Sequence, residues 1–280
     1  MRCVVIIDDP LIGIIGGNGL MGKLMVNFFE KNGYRVIVSS RNGEISAERC
    51  AIESDVLIIS VPIDKTVEVI HSVAGLVKKD GLIMDLTSVK REPLQAMLDR
   101  AVCSVLGTHP VFGPGVEVVD RQTFVLCPGR GDEWQNWFHR LLEKNNAKVK
   151  VCSAEEHDKM MSVIQGLMHF TSITISHVLK DLDIDIFDSL EFASPIYKLR
   201  LYMVGRILNQ DPGLYANIEM ENSTVKDVIE VYLKTSENLL EIIKKGDKTA
   251  FVEYFNEAAD FMGDFKVDAE NYSNKIINGL

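Results

Sequence analysis

The chain has 280 residues, 46% hydrophobic and 25% charged, with 20 glycines and 8 prolines. That composition excludes disordered, collagenous and low-complexity classes, and the length allows one large domain or two modest ones. The net charge of −10 is unevenly placed: residues 1–152 balance 18 basic against 18 acidic side chains, whereas 153–280 hold 12 against 22. A strongly acidic half does not suit nucleic acid or an anionic membrane. Apolar runs such as Val4–Ile7 and Val56–Ile59 are far shorter than the ~18 residues of a membrane span. Asp8 and Asp9 break the first apolar stretch, so it does not read as a signal peptide, and a soluble cytoplasmic protein is expected. Cys3, Cys50, Cys103, Cys127 and Cys152 form no C-x-x-C pair. They read as apolar fillers rather than a disulfide framework or zinc site, and no metal is expected.

Up to about residue 152, short apolar runs alternate with amphipathic stretches. In chain order they predict a strand at Leu11–Ile15, a helix at Leu20–Lys31, and strands at Arg35–Val38 and Val56–Ser60. A helix at Lys65–Val77 leads to a strand at Leu82–Leu86, and a helix at Arg91–Arg100 to strands at Ser104–Gly107 and Thr123–Cys127. A helix at Asp132–Glu143 and a strand at Lys148–Cys152 complete the series. Near-continuous apolar strands between helices indicate an α/β fold with a doubly wound, mostly parallel sheet covered on both faces. Beyond Cys152 the strand signals cease. Ser153 caps a helix running from Ala154 to about Leu179, and Ser194-Pro195 starts another reaching about Asn209, before Asp211-Pro212-Gly213. Stretches 224–245 and 248–274 follow. The expected division is a dinucleotide-binding domain over 1–152 and an all-helical domain over 153–280.

The first strand runs into Gly17-Asn18-Gly19-Leu20-Met21-Gly22, a G-x-G-x-x-G pattern between a strand and a helix. In that context the glycines allow a tight turn and close approach to a pyrophosphate, and the helix N-terminus offers oriented N–H groups, as in a Rossmann-like fold. The second strand ends in Ser39-Ser40-Arg41-Asn42, without the carboxylate that holds the ribose of NAD. A hydroxyl followed by a guanidinium suits a 2′-phosphate, so Ser40 and Arg41 favour NADP, with NAD as the other choice; a solvated Arg41 is the competing reading. Two loops are expected where later strands end: 85–90 and 107–114. His109, between Gly107 and Pro110, can serve as general base toward a hydroxyl that loses hydride, with a rate limb titrating in the neutral range.

At these loops the chain resembles the prephenate dehydrogenase family, especially the dehydrogenase half of bacterial chorismate mutase–prephenate dehydrogenases. The resemblance rests on Gly16 to Gly22, Ser60-Val61-Pro62-Ile63, Asp85-Leu86-Thr87-Ser88-Val89-Lys90 and His109-Pro110-Val111-Phe112-Gly113-Pro114. It continues through Glu156-His157-Asp158, 165–170, 194–199, Met203-Val204-Gly205-Arg206 and 210–215. It implies a nucleotide-binding domain followed by an all-helical dimerisation domain, hence a homodimer. It implies that His109 and Ser88 are catalytic, that Val61 and Pro62 adjoin the cofactor, and that Arg206 grips the ring carboxylate. Lys90, His169 and Tyr215 match positions lining the substrate or a tyrosine feedback site. Lys198 stands where related enzymes carry arginine, and keeps the charge without the bidentate fork. With about ten residues before the first strand, the chorismate mutase domain is expected to be missing or encoded separately.

Charge patterning agrees. Within the acidic half, Phe192 to Gln210 contain no acid and three cations, Lys198, Arg200 and Arg206. On an ideal helix Lys198 and Arg206 are about 80° apart, Arg200 about 120° from Arg206, and Tyr202 and Gln210 flank Arg206. The competing reading is a solvated cationic patch. His71, His139 and His177 read as surface or packing residues, while His157 has no assigned role. The expected activity is oxidative decarboxylation of prephenate to 4-hydroxyphenylpyruvate, the precursor of tyrosine. The alternatives are an arogenate dehydrogenase, a non-catalytic NADP-binding redox regulator, and a 2-hydroxyacid or imine reductase on the same fold.

Overall fold

The computed structural model describes residues 9–113, 115–116 and 118–279; Cys3, the run Val4–Ile7 and Pro114 lie outside them. Seven strands form one sheet: β1 (Ile12–Ile15), β2 (Val36–Ser39), β3 (Val56–Ile59), β4 (Leu82–Asp85), β5 (Ser104–Pro110), β6 (Thr123–Arg130) and β7 (Lys148–Val151). Their order is β2-β1-β3-β4-β5-β6-β7, with every neighbouring pair parallel except β5 and β6. The helices between them are α1 (Leu20–Lys31), α2 (Ala47–Glu53), α3 (Ile63–Val73), α4 (Arg91–Arg100) and α5 (Asp132–Lys144).

Because successive strand residues face opposite sides, the apolar strands supply two cores at once. On one face Ile12, Ile14, Val56, Ile58, Leu82, Met84 and Leu106 pack with Phe28 and Phe29 of α1 and Trp134 and Phe138 of α5. On the other, Leu57, Ile59, Ile83 and Val105 pack with Ile70 and Val73 of α3 and Leu94 and Met97 of α4. Cys50, Cys103 and Cys127 are buried there as the composition suggested. Burial pushes the Cys50 and Cys103 thiols up to about 11, which makes them poor nucleophiles.

Every predicted strand is present, but β5 is longer than expected. Its antiparallel ladder with β6 continues through His109 opposite Val125 and Pro110 opposite Phe124. His109 is therefore a strand residue, not part of a loop after the strand. Helix α2 was not anticipated: it is short, and it depends on Ser46, whose hydroxyl accepts from the Arg49 N–H at 3.2 Å.

The helical half departs further from its sequence pattern. The single helix expected from Ala154 is α6 (Ala154–Met161), a wider π-helical turn over Ser162–Leu167, and α7 (Met168–Asp181). Helices α8 (Ile186–Glu191) and α9 (Pro195–Leu208) follow, the latter capped by Ser194 with Pro195 at its first position. Helix α9 ends before Asp211-Pro212-Gly213 as expected, and Pro212 then starts a further helix, α10 (Pro212–Glu221), where a missing N–H costs nothing. Helix α11 (Val225–Lys245) ends at Gly246 with φ +65°. Gly263, with φ +51°, splits the last expected helix into α12 (Lys248–Met262) and α13 (Phe265–Ile277). Among the described residues no helix is long and apolar enough to cross a membrane. The chain forms two compact units. One comprises the described residues to Met161 with Ala216–Asn222; the other comprises Ser162–Tyr215 with the described residues from Ser223 onward.

Inside the sheet unit lies a fully buried ion pair, Lys90 with Asp85. The Lys90 ammonium also donates to the Thr108 carbonyl at 2.7 Å, and Asp85 accepts from the Thr87 N–H at 3.0 Å and the Thr108 N–H at 3.3 Å. Removing one member of such a pair leaves an uncompensated buried charge. Lys90→Met is therefore expected to lower the stability of the sheet unit by about 3–5 kcal/mol. Urea unfolding followed by tryptophan fluorescence reads this unit alone, since both tryptophans, Trp134 and Trp137, lie on α5. A loss below about 1 kcal/mol would contradict the pair's role.

Candidate active site

The paired strands β1, β2 and β3 end level with one another, Ile15 standing beside Ser39 and Ile59. The chain leaves β1 to one side for β2 and returns to the other side for β3, so this edge is the topological switch point where open α/β sheets bind ligands. Gly16 leaves β1 with φ +86°, and a Cβ there would fall 2.0 Å from the Ser60 carbonyl oxygen. Its own carbonyl accepts from the Gly19 N–H at 2.9 Å, closing the turn. A Cβ on Gly22 would lie 2.3 Å from that same Gly16 oxygen, so α1 approaches the turn only because residue 22 is glycine. Helix α1 then begins at Leu20 with no acidic side chain in its first turn, leaving its N–H groups to an anion.

Gly17, Asn18, Gly19, Leu20, Met21 and Gly22 thus share this edge with Ser40 and Arg41 after β2 and with Val61 and Pro62 after β3. Asn18 Nδ2 donates to Ser40 Oγ at 2.8 Å, which ties the glycine turn to the end of β2. Arg41 is exposed. Gly16, whose backbone is the most constrained of the group, was outside the cofactor residues assigned from sequence, because the G-x-G-x-x-G spacing starts one residue later. The glycine cradle and the free helix terminus fit the diphosphate of a dinucleotide.

Three strand registers along the sheet, β5 carries His109, which is 4% exposed. Its Nδ1 lies 2.8 Å from His157 Nε2, and His157 Nδ1 lies 2.7 Å from Asp158 Oδ1. Asp158 also accepts from the backbone N–H of Lys90 at 2.8 Å and of Arg91 at 3.0 Å, which fixes it at the start of α4. Asn222 Nδ2 donates to the Asp158 carbonyl at 2.8 Å. Burial, and secondarily the neighbouring His157 and the Lys90 ammonium, hold the His109 imidazole well below the usual histidine range. Burial lowers His157 as well, against the opposing pull of Asp158. The expected titration of His109 in the neutral range is therefore corrected: its charged form is desolvated, so the imidazole is neutral there.

Ser88 sits on the connection from β4 to α4, with its Oγ buried and without a hydrogen-bond partner. Lys90, expected at the wall of the substrate or tyrosine site, is instead fully enclosed, its ammonium held by Asp85 and the Thr108 carbonyl. The sequence reading left His157 without a role and passed over Asp158, Asp85 and Thr108. Glu156-His157-Asp158 opens an ordinary amphipathic helix, and nothing in its spacing signals a partner 48 residues earlier.

In the helical unit, His169 of α7 and Tyr215 of α10 meet edge to face, with ring centroids 4.5 Å apart. Burial raises the Tyr215 hydroxyl's pKa, while Arg206 pulls it the other way. Arg206 is exposed and Lys198 half-buried on α9. Helix α9 ends at Leu208, so the helical phase does not carry Gln210 to the flank of Arg206; its Nε2 instead donates back to the Arg206 carbonyl at 3.4 Å. Within this unit His169, Tyr215 and Arg206 are neighbours.

A model of the prephenate dehydrogenase nucleotide-binding domain matches residues 30–151, and a model of the prephenate dehydrogenase dimerization domain matches residues 153–257. A protein of Methanocaldococcus jannaschii named probable arogenate/prephenate dehydrogenase is 36% identical over 288 residues, with 96% of this chain covered. The chain spans 65% of that relative's length. The T-protein of Haemophilus influenzae is 36% identical over 270 residues, covering 96% of this chain and 72% of that protein. A crystal structure of prephenate dehydrogenase from Aquifex aeolicus in complex with hydroxyphenyl propionate and NAD+ has a TM-score of 0.73. It covers 90% of this chain and 97% of that one at 19% identity, a likeness of fold. Matches across both halves, and 36% identity over 72% of the Haemophilus protein's length, show that the chain belongs to the prephenate dehydrogenase family.

Proposed function

We propose that the chain is a prephenate dehydrogenase that converts prephenate to 4-hydroxyphenylpyruvate and carbon dioxide, with NADP as the preferred electron acceptor. The observation carrying this reading is His109, a buried imidazole kept neutral on the same sheet as the glycine cradle. The working division is a dinucleotide-binding domain over 1–152 and a helical dimerisation and substrate-binding domain over 153–280. A homodimer fits the many large apolar side chains exposed on the helical unit, among them Leu240, Phe255 and Phe261.

When bound, the nicotinamide dinucleotide supplies a two-electron acceptor. His109 takes the proton of the C4 hydroxyl as hydride leaves C4 and the ring carbonyl forms. The bond from C1 to its carboxylate then breaks, carbon dioxide departs, and the released electron pair makes the ring aromatic. His109 returns its proton to the phenolate oxygen, so the proton is borrowed rather than consumed. Ser88, with an unpartnered hydroxyl, can donate to the substrate oxygen beside it. Arg206 and Lys198 suit the two carboxylates of prephenate better than the zwitterionic side chain of arogenate, because the stretch from Phe192 to Gln210 carries three cations and no acid. His169, Tyr215 and Gln210 complete the substrate side, which is also where tyrosine would act as feedback ligand.

The direct test is NADPH formation from prephenate, with arogenate as comparison; a higher kcat/KM for arogenate would replace the proposed substrate. His109→Asn should lower kcat by about 10²–10⁴-fold with little change in dinucleotide affinity. Because the neutral imidazole is the active form, the native rate should fall as the solution is acidified through a pKa well below the ordinary 6.5, and stay level around neutrality. A limb centred at neutral pH would refute that electrostatic assignment.

Truncating a partner of a desolvated, hydrogen-bonded charge pair costs on the order of 2–5 kcal/mol, about 1.4 kcal/mol per decade. Arg206→Ala should therefore weaken prephenate binding roughly 30- to 3,000-fold, and Lys198→Ala less. The reverse ranking would move the carboxylate grip to Lys198.

For the dinucleotide, a charge-assisted hydrogen bond of ~1.5–3 kcal/mol implies a preference for NADP of roughly 10- to 150-fold in kcat/KM. Arg41→Ala should erase most of it and leave NAD kinetics nearly unchanged. Equal use of both dinucleotides by the native enzyme would mean that Arg41 stays in solvent.

A further inference from the structure

We propose that His157 and Asp158 are positioning residues that hold His109 in the one neutral tautomer able to act as a base, with its proton on Nδ1 and its lone pair on Nε2. The inference rests on the reading of His109 as the base, and it follows from the hydrogen bonds in order. Asp158 accepts the Lys90 and Arg91 N–H groups at the N-terminus of α4, where a negative charge is favoured. An ionised carboxylate can only accept, so the contact with His157 Nδ1 at 2.7 Å requires that nitrogen to carry a proton. A neutral imidazole has one donor and one acceptor, so His157 Nε2 is then an acceptor. His109 Nδ1, 2.8 Å away, must donate to it. The remaining nitrogen of His109, Nε2, is left with a lone pair.

The same chain serves the second half of the proton's excursion. When His109 Nε2 has taken the hydroxyl proton, the imidazolium still donates from Nδ1 to His157, and the Asp158 carboxylate faces the far side of that ring. The positive charge thus develops toward a fixed negative group rather than into the apolar interior. None of the three side chains can rotate freely: His109 is a strand residue, His157 and Asp158 are 1% and 5% exposed, and Asn222 holds the Asp158 backbone.

The test combines kinetics with a direct observation of the protons. ¹⁵N-histidine spectra of the native enzyme should contain a neutral imidazole, absent from His109→Asn, with a proton on Nδ1 and a bare Nε2. His157→Leu should lower kcat about 10²-fold, the lower end of what a general base contributes, while dinucleotide affinity stays as in the native enzyme. His157→Gln, whose side-chain oxygen can still accept from His109 Nδ1, should recover at least about tenfold of that loss. In a His109→Asn background, His157→Leu should cost less than about twofold, since the two residues act as one unit. Equal rates for the leucine and glutamine variants, or an undiminished effect in the His109→Asn background, would overturn the proposal. A His109 proton found on Nε2 would do so too, and this spectrum decides even if the leucine variant does not fold. A His109→Asn enzyme with near-native kcat would instead remove the base itself; a slow His109→Asn enzyme beside an unimpaired His157→Leu enzyme would leave the base standing and reject its positioning.

Discussion

A buried charge with no route to water must be answered inside the fold, and in the sheet unit that demand is met at one place. The ammonium of Lys90 and the carboxylate of Asp85 are both fully enclosed, so each needs the other and neither can move. Their remaining hydrogen-bonding capacity reaches Thr87, which follows β4, and Thr108 of β5. The ends of two neighbouring strands and the start of α4 are thereby tied to a single ion pair. His109 follows Thr108 directly, and Ser88 lies between Thr87 and Lys90, so both candidate catalytic side chains inherit their positions from it. A pair of this kind contributes little net stability compared with an apolar substitute, but it specifies geometry strongly, because any displacement exposes an unpaired charge to a low-dielectric interior.

The same low dielectric sets the protonation state of the imidazoles. Around His109 the interior holds a fixed cation, Lys90, and a second histidine, and both disfavour a further positive charge. An acceptor chain that can relieve a charge formed there runs through His157 to Asp158, and Asp158 is secured by backbone N–H groups at the beginning of a helix. Structure and chemistry meet in α4: its N-terminus binds the carboxylate, and its first residues follow from the ion pair. The dinucleotide edge uses a different device. Gly16 and Gly22 remove side chains where backbone must meet backbone, so the turn presents backbone N–H groups at the start of α1 rather than charged residues.

Much of the sheet was legible from sequence. Seven apolar runs bounded by turn residues became seven strands, because in a sheet covered on both faces the strand pattern needs no alternation. The glycine turn was legible for a comparable reason: glycines at fixed spacing after a strand have few other physical uses. Helix ends with strong local signals were also right, as at Ser194-Pro195. Where local signals were weak or shared between two outcomes, the reading failed. Asp211-Pro212-Gly213 does follow a helix end, α9 closing at Leu208, yet Pro212 also opens α10, since proline is tolerated at a first helical position as readily as after a last one. Gly263 divides a stretch whose amphipathic pattern runs on unbroken: its φ of +51° is one that glycine adopts without a Cβ penalty, and the periodicity of the flanking side chains does not report it.

The amino-acid sequence by itself therefore determined the architecture of the sheet, the glycine turn after β1 and the identity of His109 as a chemically distinctive residue. These depend on neighbours within a few positions. Only the tertiary structure decided that His109 lies inside a strand, that its partner is His157, and that Lys90 is a buried structural cation. Each of these depends on groups that strand pairing and packing bring together, His109 with Val125 across the β5–β6 ladder, His109 with His157 over 48 residues, and the Lys90 ammonium with the Thr108 carbonyl over 18. Hydrophobic periodicity specifies which face of an element is buried, but it says nothing about which polar group waits on the other side. Pairings among buried polar groups are fixed by distance and burial, and those quantities exist only once the chain has folded.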